Sequence, residues 1–358
     1  MYSLNPGHRL PALQRGLTNA ESAATKAVLG VGGILSASTL ITPPPVWSWG
    51  VLGAAAAVVG VAPGPRSIAR WAAVGYRHLT ERGTPDSLTA QAGEVATWAL
   101  YPEHGTMQDP HRRAEWHAAF GRALAYAGAQ ARTDGIQILA THHADVTDHT
   151  AHTQTLSVFV PHSVGGARIL DRIEGQLAGL GVLTPVDPEP VPDLVERAPG
   201  WVALGDGEYA ATARIVGWPD KADGDLMTRL LLGAAEDARS RSVSVMYRPL
   251  TPAQSRRSAK WGGALTAAIL TDGVQKDAAE LESESTHGEL VQGAVMVDLD
   301  AYLTVWGDSP GDVMDARHQA QQLTDRLDLE LDWLVGQQHR AHLMTTPHAV
   351  TTRKGATL

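Results

Sequence analysis

A run of uncharged residues near the N-terminus constrains the fold of this chain more than any other feature of its sequence. From Ala27 to Pro65 there are 39 residues without a single Asp, Glu, Lys or Arg. About 20 apolar residues suffice to cross a bilayer once, and the consecutive prolines Pro43, Pro44 and Pro45 cannot continue a helix. The run therefore predicts a hairpin of two membrane-spanning helices within residues 24–65, joined by a proline tip.

The charges around this run predict its orientation. By the positive-inside rule, the side of the membrane that carries excess Lys and Arg is cytoplasmic. We therefore expect a two-pass protein of the cell membrane with both termini in the cytoplasm; an Ala- and Gly-rich hairpin buried in a soluble protein is the alternative. Basic residues lie on both flanks and none lies at the tip: Arg9, Arg15 and Lys26 before the run, and Arg66, Arg70, Arg77 and Arg82 after it.

Charge and cysteine usage exclude several classes of function. The formal net charge is -9, from 29 basic and 38 acidic residues, whereas binding to nucleic acid needs a basic surface that neutralises phosphates. Direct nucleic-acid binding is therefore not expected. The chain has no cysteine, which excludes disulfides, a thiolate nucleophile and cysteine-ligated metal sites.

Beyond the hairpin the pattern alternates between strands and helices in the order β-α-β-β-α-β, and that order occurs twice. This order is typical of a ferredoxin-like sandwich. The predicted fold class is α+β, with the transmembrane hairpin followed by tandem ferredoxin-like units. Strands are predicted at 94–100, 135–142, 153–160, 182–184, 208–218, 242–248, 294–306 and 329–334, and helices at 110–129, 164–180, 222–239 and 310–327.

The domain boundaries follow from these patterns and from a proline-punctuated segment that reads as a semi-rigid linker. In chain order they are a cytoplasmic N-terminal tail (1–23), the hairpin (24–65), a basic juxtamembrane helix (66–83), a first α/β unit (84–184), the linker (185–200), a second α/β unit (201–350) with a helical insertion (251–287), and a C-terminal tail (351–358).

The helical insertion is basic at its start and acidic towards its end, with Arg256, Arg257 and Lys260 in its first part. This distribution opposes the helix dipole, which favours negative charge at the N-terminus. An arm that docks a partner or the membrane surface is one interpretation, and a solvated helical hairpin is the other, favoured one. Contact between these basic residues and DNA is a third possibility, which a steep salt dependence would reveal.

One histidine-rich stretch offers the ligands that a divalent metal prefers. It contains His142, His143, Asp145, Asp148, His149 and His152, and imidazole and carboxylate groups bind zinc and related ions. The stretch falls in a predicted turn between two strands, however, and a solvated polar turn is the favoured interpretation. Accordingly, no metal-binding, cofactor-binding or catalytic residue is assigned, and no cofactor is expected.

The remaining motifs are structural. Ser309 followed by Pro310 predicts a helix N-cap, and Gly205-Asp206-Gly207 predicts a turn before a strand. No Walker phosphate loop is present in the sequence.

Several segments of the second unit resemble the actinobacterial EccE-domain membrane proteins. The segment Ser240 to Leu250, the strand at 294–306 and the stretch Leu329 to Gln338 carry the resemblance, and Arg70-Trp71 echoes the basic segment of the conjugation-associated branch. The family includes the EccE component of type VII secretion systems and related proteins encoded with type IV-like conjugation machinery. The resemblance covers residues 25–80 by architecture and 205–348 more specifically, and it carries no active-site residue.

The resemblance implies a non-catalytic, membrane-anchored structural component of a secretion or conjugal transfer apparatus. Its implied partners are the lipid bilayer, other subunits of that apparatus and a separate ATPase onto which the cytoplasmic domains dock, in a homo- or hetero-oligomer. The alternative is a membrane-anchored, metal-dependent enzyme that uses the loop from His142 to His152.

Overall fold

The computed structural model describes residues 93–103, 105–106, 109–129, 135–144, 152–161, 166–219, 226–233, 239–257 and 295–349. The strands, in chain order, are β1 (Gly93–Tyr101), β2 (Gly135–His142), β3 (His152–Pro161), β4 (Val182–Pro185), β5 (Leu194–Arg197), β6 (Val202–Leu204), β7 (Tyr209–Gly217), β8 (Arg241–Pro249), β9 (Val297–Gly307) and β10 (Glu330–Trp333). The helices are α1 (Pro110–Ala129), α2 (Gly166–Leu177), α3 (Leu226–Leu232), α4 (Pro310–Arg326) and α5 (Gln338–Ala341), with 3-10 turns at Ala178–Leu180 and His342–Thr345.

All ten strands belong to one antiparallel sheet with the order β4-β1-β3-β2-β8-β9-β7-β6-β5. The tenth strand, β10, pairs with the last residues of β7, while β6 pairs with its first residues. One edge of β7 is thus shared by two short strands.

The junction between the two halves of the sheet is the pairing of β2 with β8. It runs from Ile136 opposite Tyr247 to His142 opposite Arg241, an unbroken antiparallel register. Without this pairing, β2 and β8 would each expose a row of backbone N–H and C=O groups, which is unfavourable and invites association. Pairing them with each other satisfies both rows.

This architecture corrects the fold predicted from the sequence. The expectation of tandem ferredoxin-like units is wrong, because the described strands form a single ten-stranded antiparallel sheet that continues through the β2–β8 junction. The predicted hairpin, residues 24–65, lies outside the described residues.

One face of the sheet carries the helices and an apolar core in two parts. In the first half, Trp98, Ile136 and Leu156 pack against α1 and α2. In the second half, Val243 and Leu303 belong to a cluster that includes residues of α3 and α4. Apolar side chains alternate along the long strands towards this face, as strand geometry requires.

None of the described helices is both long and apolar enough to cross a bilayer. The longest, α1, has 20 residues but carries Arg112, Arg113, Glu115 and Arg122, and charged residues are costly within hydrocarbon. This finding contradicts the two-pass membrane localisation with cytoplasmic termini that the sequence predicts, and that expectation is corrected accordingly.

Candidate functional site

Two histidines of the histidine-rich stretch lie side by side at one end of the sheet. His142 is the last residue of β2, His152 is the first residue of β3, and the register pairs them directly. Their Nδ1 atoms are 3.1 Å apart, and their rings stack with centroids 4.6 Å apart and planes inclined by 29°. His142 and His152, which the sequence places in or beside one turn, therefore form a cross-strand pair in the structure.

The surroundings of the pair disfavour protonation of His142. Burial is the largest cause that lowers the pKa of His142, and the positive charges of His152, Arg241 and His143 lower it further. Arg241 lies opposite His142 across the β2–β8 junction and is fully buried. We therefore expect His142 to be neutral at pH 7, with a ring nitrogen free to accept a hydrogen bond or a metal ion.

The other members of the histidine-rich stretch are not brought to this pair in the described part of the chain. His143 is exposed, and the next residue, Ala144, donates its backbone N–H to Ser240 Oγ at 3.0 Å. Asp145, Asp148 and His149 lie outside the described residues. Among the described residues, no group of three or more His, Asp or Glu side chains is arranged to hold a metal ion.

A carboxylate, Glu208, lies at the same end of the sheet as the pair. Its pKa is raised by burial, with Asp206 and Asp308 contributing in the same direction and His143 opposing them. Glu208 follows the Gly205-Asp206-Gly207 turn, where Asp206 accepts the backbone N–H of Glu208 at 3.0 Å and Gly207 has a φ of 90°. The predicted turn is confirmed, and its polar groups serve the local backbone.

The face of the sheet opposite the helices is buried and carries many polar side chains beside the apolar Phe159, Met246 and Tyr302, which sequence reasoning missed; we call it the polar face. Thr97, Gln137, Ser157, Ser244 and Thr304 lie on it and are at most 5% exposed. The residues that follow β10 cover this face; we call residues 338–349 the C-terminal segment. Antiparallel sheets commonly leave a polar face in water, so its burial under the chain's own C-terminal segment is a tertiary feature that strand patterning alone does not signal.

Hydrogen bonds hold the C-terminal segment to this polar face. Gln137 donates to Met344 O at 3.1 Å and accepts from the backbone N–H of Ala349 at 2.9 Å. The hydroxyls of Thr97 and Ser157 both donate to Pro347 O, at 2.9 and 3.1 Å. The segment's buried backbone groups therefore find partners on three strands of the sheet, as burial demands.

A second buried amide closes a gap in the shared edge of β7. Thr212 lies between the residues of β7 that pair with β6 and those that pair with β10. Gln338 fills this gap, since its Oε1 accepts from Thr212 N at 2.7 Å and its Nε2 donates to Thr212 O at 3.0 Å. The side chain thus continues the strand pairing together with Leu334, whose backbone N–H donates to Thr212 O at 3.3 Å.

An ion cluster lies on the polar face, at the end of the sheet opposite the His142–His152 pair. The carboxylate of Asp300 on β9 binds the guanidinium groups of Arg214 on β7 and Arg248 on β8. All three side chains are largely buried, so their charges are screened less than surface charges. The cluster links the three adjacent strands.

An exposed apolar strip lies on the outer strands of the same face. The strip consists of two pairs, Tyr101 of β1 with Val182 of β4 at one end and Val95 of β1 with Val186 at the other, with the buried Thr97 between them, and we call it the β1–β4 strip. Tyr101 pairs with Val182 in the register, and Val186 continues the pairing by donating its N–H to Thr97 O at 2.9 Å. Exposed apolar side chains gathered in this way mark interaction surfaces in soluble proteins.

The start of the predicted helical insertion is helical at 252–257, which includes the exposed residues Arg256 and Arg257. Lys260 and residues 258–294 lie outside the described part of the chain. The arm, the solvated hairpin and the DNA-contacting interpretation therefore stay predictions.

Comparison with known proteins adds no family assignment to these observations. No protein-family model matches the chain, and no curated protein matches its sequence.

Proposed function

We propose that this chain is a non-catalytic structural subunit of a secretion or conjugal transfer apparatus, and that it holds another protein subunit against its sheet. The motifs that resemble the EccE-domain proteins support the type of machine. The β1–β4 strip supports the mode of action and is the observation that carries the proposal.

The strip has the properties of a protein-binding surface. The exposed fractions are 38% for Val95, 60% for Tyr101, 63% for Val182 and 39% for Val186. Aromatic and aliphatic side chains at the centre of an interface contribute most of its binding free energy. We expect the occupant to be an apolar surface of a partner subunit, such as the separate ATPase that the resemblance implies.

The sheet beneath the strip is suited to bearing such a contact. The residues of β1 are hydrogen-bonded to β3 on one side and to β4 on the other. The hydroxyl of Thr97, between Val95 and Tyr101 on β1, is bonded to Ser157 Oγ and Pro347 O. A surface fixed by such bonds loses little conformational entropy on association, which favours binding.

The test is isolation of the tagged full chain, with its partners identified by mass spectrometry, in three forms. The wild type should retain at least one secretion or conjugation subunit. Val182→Glu should reduce that retention about tenfold or more, because a charge would be buried without a partner in the complex.

Val195→Glu is the matched control. Val195 lies on β5 at the opposite edge of the sheet and is 70% exposed, so its substitution adds the same charge to a valine outside the strip. Retention by the control should equal that of the wild type. Recovery of the wild type as a lone monomer under mild conditions, or equal retention by both variants, would refute the proposal.

A further inference from the structure

The cross-strand pair at the end of β2 and β3 has a geometry that fits a metal ion. We propose that His142 and His152 together chelate one divalent transition-metal ion through their Nδ1 atoms, with water completing its coordination. The proposal is independent of the β1–β4 strip and of the subunit function argued from it.

The separation of the two nitrogens carries the inference. Zinc–nitrogen bonds are about 2.0–2.1 Å long. For two such bonds, an Nδ1–Nδ1 distance of 3.1 Å corresponds to an angle at the metal of about 98°. That angle lies between the right angle of a square-planar or octahedral site and the tetrahedral value, so the pair can occupy two neighbouring positions in any of these geometries.

The strands fix the two histidines before any ion arrives. His142 and His152 close an eight-residue antiparallel register between β2 and β3, and β8 holds the other side of β2. Only the side-chain torsions have to adjust. The two Nδ1 atoms already lie within hydrogen-bonding distance of each other, and rotation about the soft χ2 torsions can turn both lone pairs towards a common ion, which would replace the shared proton.

The pair is also accessible and has no stronger ligand to compete with it. Both rings lie at the surface, where an ion and its water ligands can reach them. The chain contains no cysteine, so no thiolate can draw the ion elsewhere. Imidazole ligands suit Zn²⁺, Ni²⁺ and Cu²⁺, with Cu²⁺ bound most tightly in the usual order.

The positive charge of Arg241 sets a limit on the affinity. Its guanidinium is close enough to His142 to disfavour a positive charge there, and a bound cation experiences the same repulsion. We therefore expect a site of modest affinity that prefers Cu²⁺, and this makes Cu²⁺ the probe of choice.

The experiment titrates the full chain with Cu²⁺ and records both the affinity and the electron paramagnetic resonance spectrum. The wild type should bind one ion in a site whose spectrum shows coupling to two imidazole nitrogens. His142→Ala and His152→Ala should each weaken binding about 100-fold, because the second ligand no longer binds intramolecularly. Each should also reduce the coupling to one nitrogen.

The control removes two surface histidines that do not face each other. His111 and His318 are exposed and bond to Glu115 and Gln322 within their own helices, and the double substitution His111→Ala with His318→Ala should leave affinity and spectrum unchanged. Circular dichroism checks that each variant is folded. If His152→Ala is unfolded, His152→Asn replaces it, because asparagine retains a polar side chain of similar size.

Two results would overturn the inference. In the first, His142→Ala and His152→Ala bind Cu²⁺ as tightly as the wild type. In the second, His149→Ala abolishes binding while the two pair variants retain it, which would place the ion on other residues of the histidine-rich stretch.

Discussion

Replacing Gln137 with leucine tests the bond network that fastens the C-terminal segment to the sheet. Gln137 is fully buried, and its amide makes three hydrogen bonds: to Ser244 Oγ at 2.9 Å, to Met344 O at 3.1 Å and from Ala349 N at 2.9 Å. Leucine is similar in size and offers none of these bonds. The substitution therefore removes polarity while creating little space.

The expected cost follows from the groups left without partners. Ser244 Oγ loses the Gln137 Nε2 group that donates to it, and Met344 O and Ala349 N, which also lose their partner, are backbone groups of buried residues. Leaving one such group unsatisfied costs about 1–3 kcal/mol, so Gln137→Leu should lower the free energy of unfolding by about 4 kcal/mol. That is a large share of the about 5–15 kcal/mol typical of folded domains.

Urea unfolding followed by tryptophan fluorescence measures this change. Ser244→Ala is the matched control, because it removes one of the three bonds and leaves Gln137 attached to Met344 O and Ala349 N; its cost should be about 1 kcal/mol. A loss of less than 1 kcal/mol for Gln137→Leu, or a loss no greater than that of Ser244→Ala, would refute the role given to Gln137.

Four further substitutions test local features of the fold. Ser309→Ala should lower the free energy of unfolding by about 1 kcal/mol in thermal melts, because Ser309 caps α4 by accepting the N–H of Asp312 at 3.2 Å; an unchanged melting temperature would contradict this. Gly181→Ala should lower the free energy of unfolding by more than about 2 kcal/mol, since a Cβ there would meet Tyr101 O and φ is 137°. Gly175→Ala should raise the free energy of unfolding by about 0.5–1 kcal/mol, because Gly175 in α2 has open space around it. Equal effects of the two substitutions would contradict the geometry. Burial lowers the pKa of His342 below 6.5, so below pH 6.5 the unfolded chain binds a proton that the folded chain does not. As the pH is lowered, this histidine should therefore reduce the free energy of unfolding by up to about 1.4 kcal/mol per pH unit. His342→Gln should reduce that slope in urea titrations between pH 5 and pH 8, and an unchanged slope would contradict the assignment.

The positions of most elements could be predicted from local patterning. The helix predicted at 110–129 is α1, Pro110–Ala129, and the side chains that define its apolar stripe, such as Trp116 and Phe120, are buried. The N-cap predicted at Ser309 is confirmed by its bond to Asp312 N. These features depend on residues close in sequence, where helix periodicity and capping chemistry act.

The arrangement of those elements could not be predicted, because it depends on distant backbone groups. The β2–β8 junction joins residues about a hundred positions apart, such as Ile138 and Val245, and neither strand carries a side-chain signal for the other. Two short strands were also missed: β5, which lies within the predicted linker at 185–200, and β6. Strands of three or four residues are too short for period-two patterning to stand out.

In the candidate sites too, local features could be predicted from the sequence and long-range contacts could not. The sequence placed His142 and His152 in one loop, but their pairing depends on where β2 ends and β3 begins, and a one-residue shift would turn the side chains to opposite faces. The buried polar face was missed because its partners include the backbone carbonyl groups of Met344 and Pro347, which no side-chain pattern reveals. The alternation of Thr and Ser with apolar residues along the strands indicates a polar face but not that the face is buried.

The pairing of β2 with β8 is the claim on which the rest of the account depends, and the absence of cysteine from the chain allows a direct test. Thr141 and Ser242 are opposite each other in this register, with their hydroxyl oxygens 3.2 Å apart. The double substitution Thr141→Cys with Ser242→Cys should form a disulfide on mild oxidation, since facing side chains of this kind meet the distance requirement.

The offset pair Thr141→Cys with Ser244→Cys is the control, because diagonal neighbours lie about 7–8 Å apart and should not cross-link. The measurement is the mass of the oxidised protein after cleavage between the two positions, with and without reductant. The facing pair should give fragments that stay joined until reduction, and the offset pair should give separate fragments. Separate fragments for the facing pair, or equal cross-linking of both pairs, would contradict a single continuous sheet.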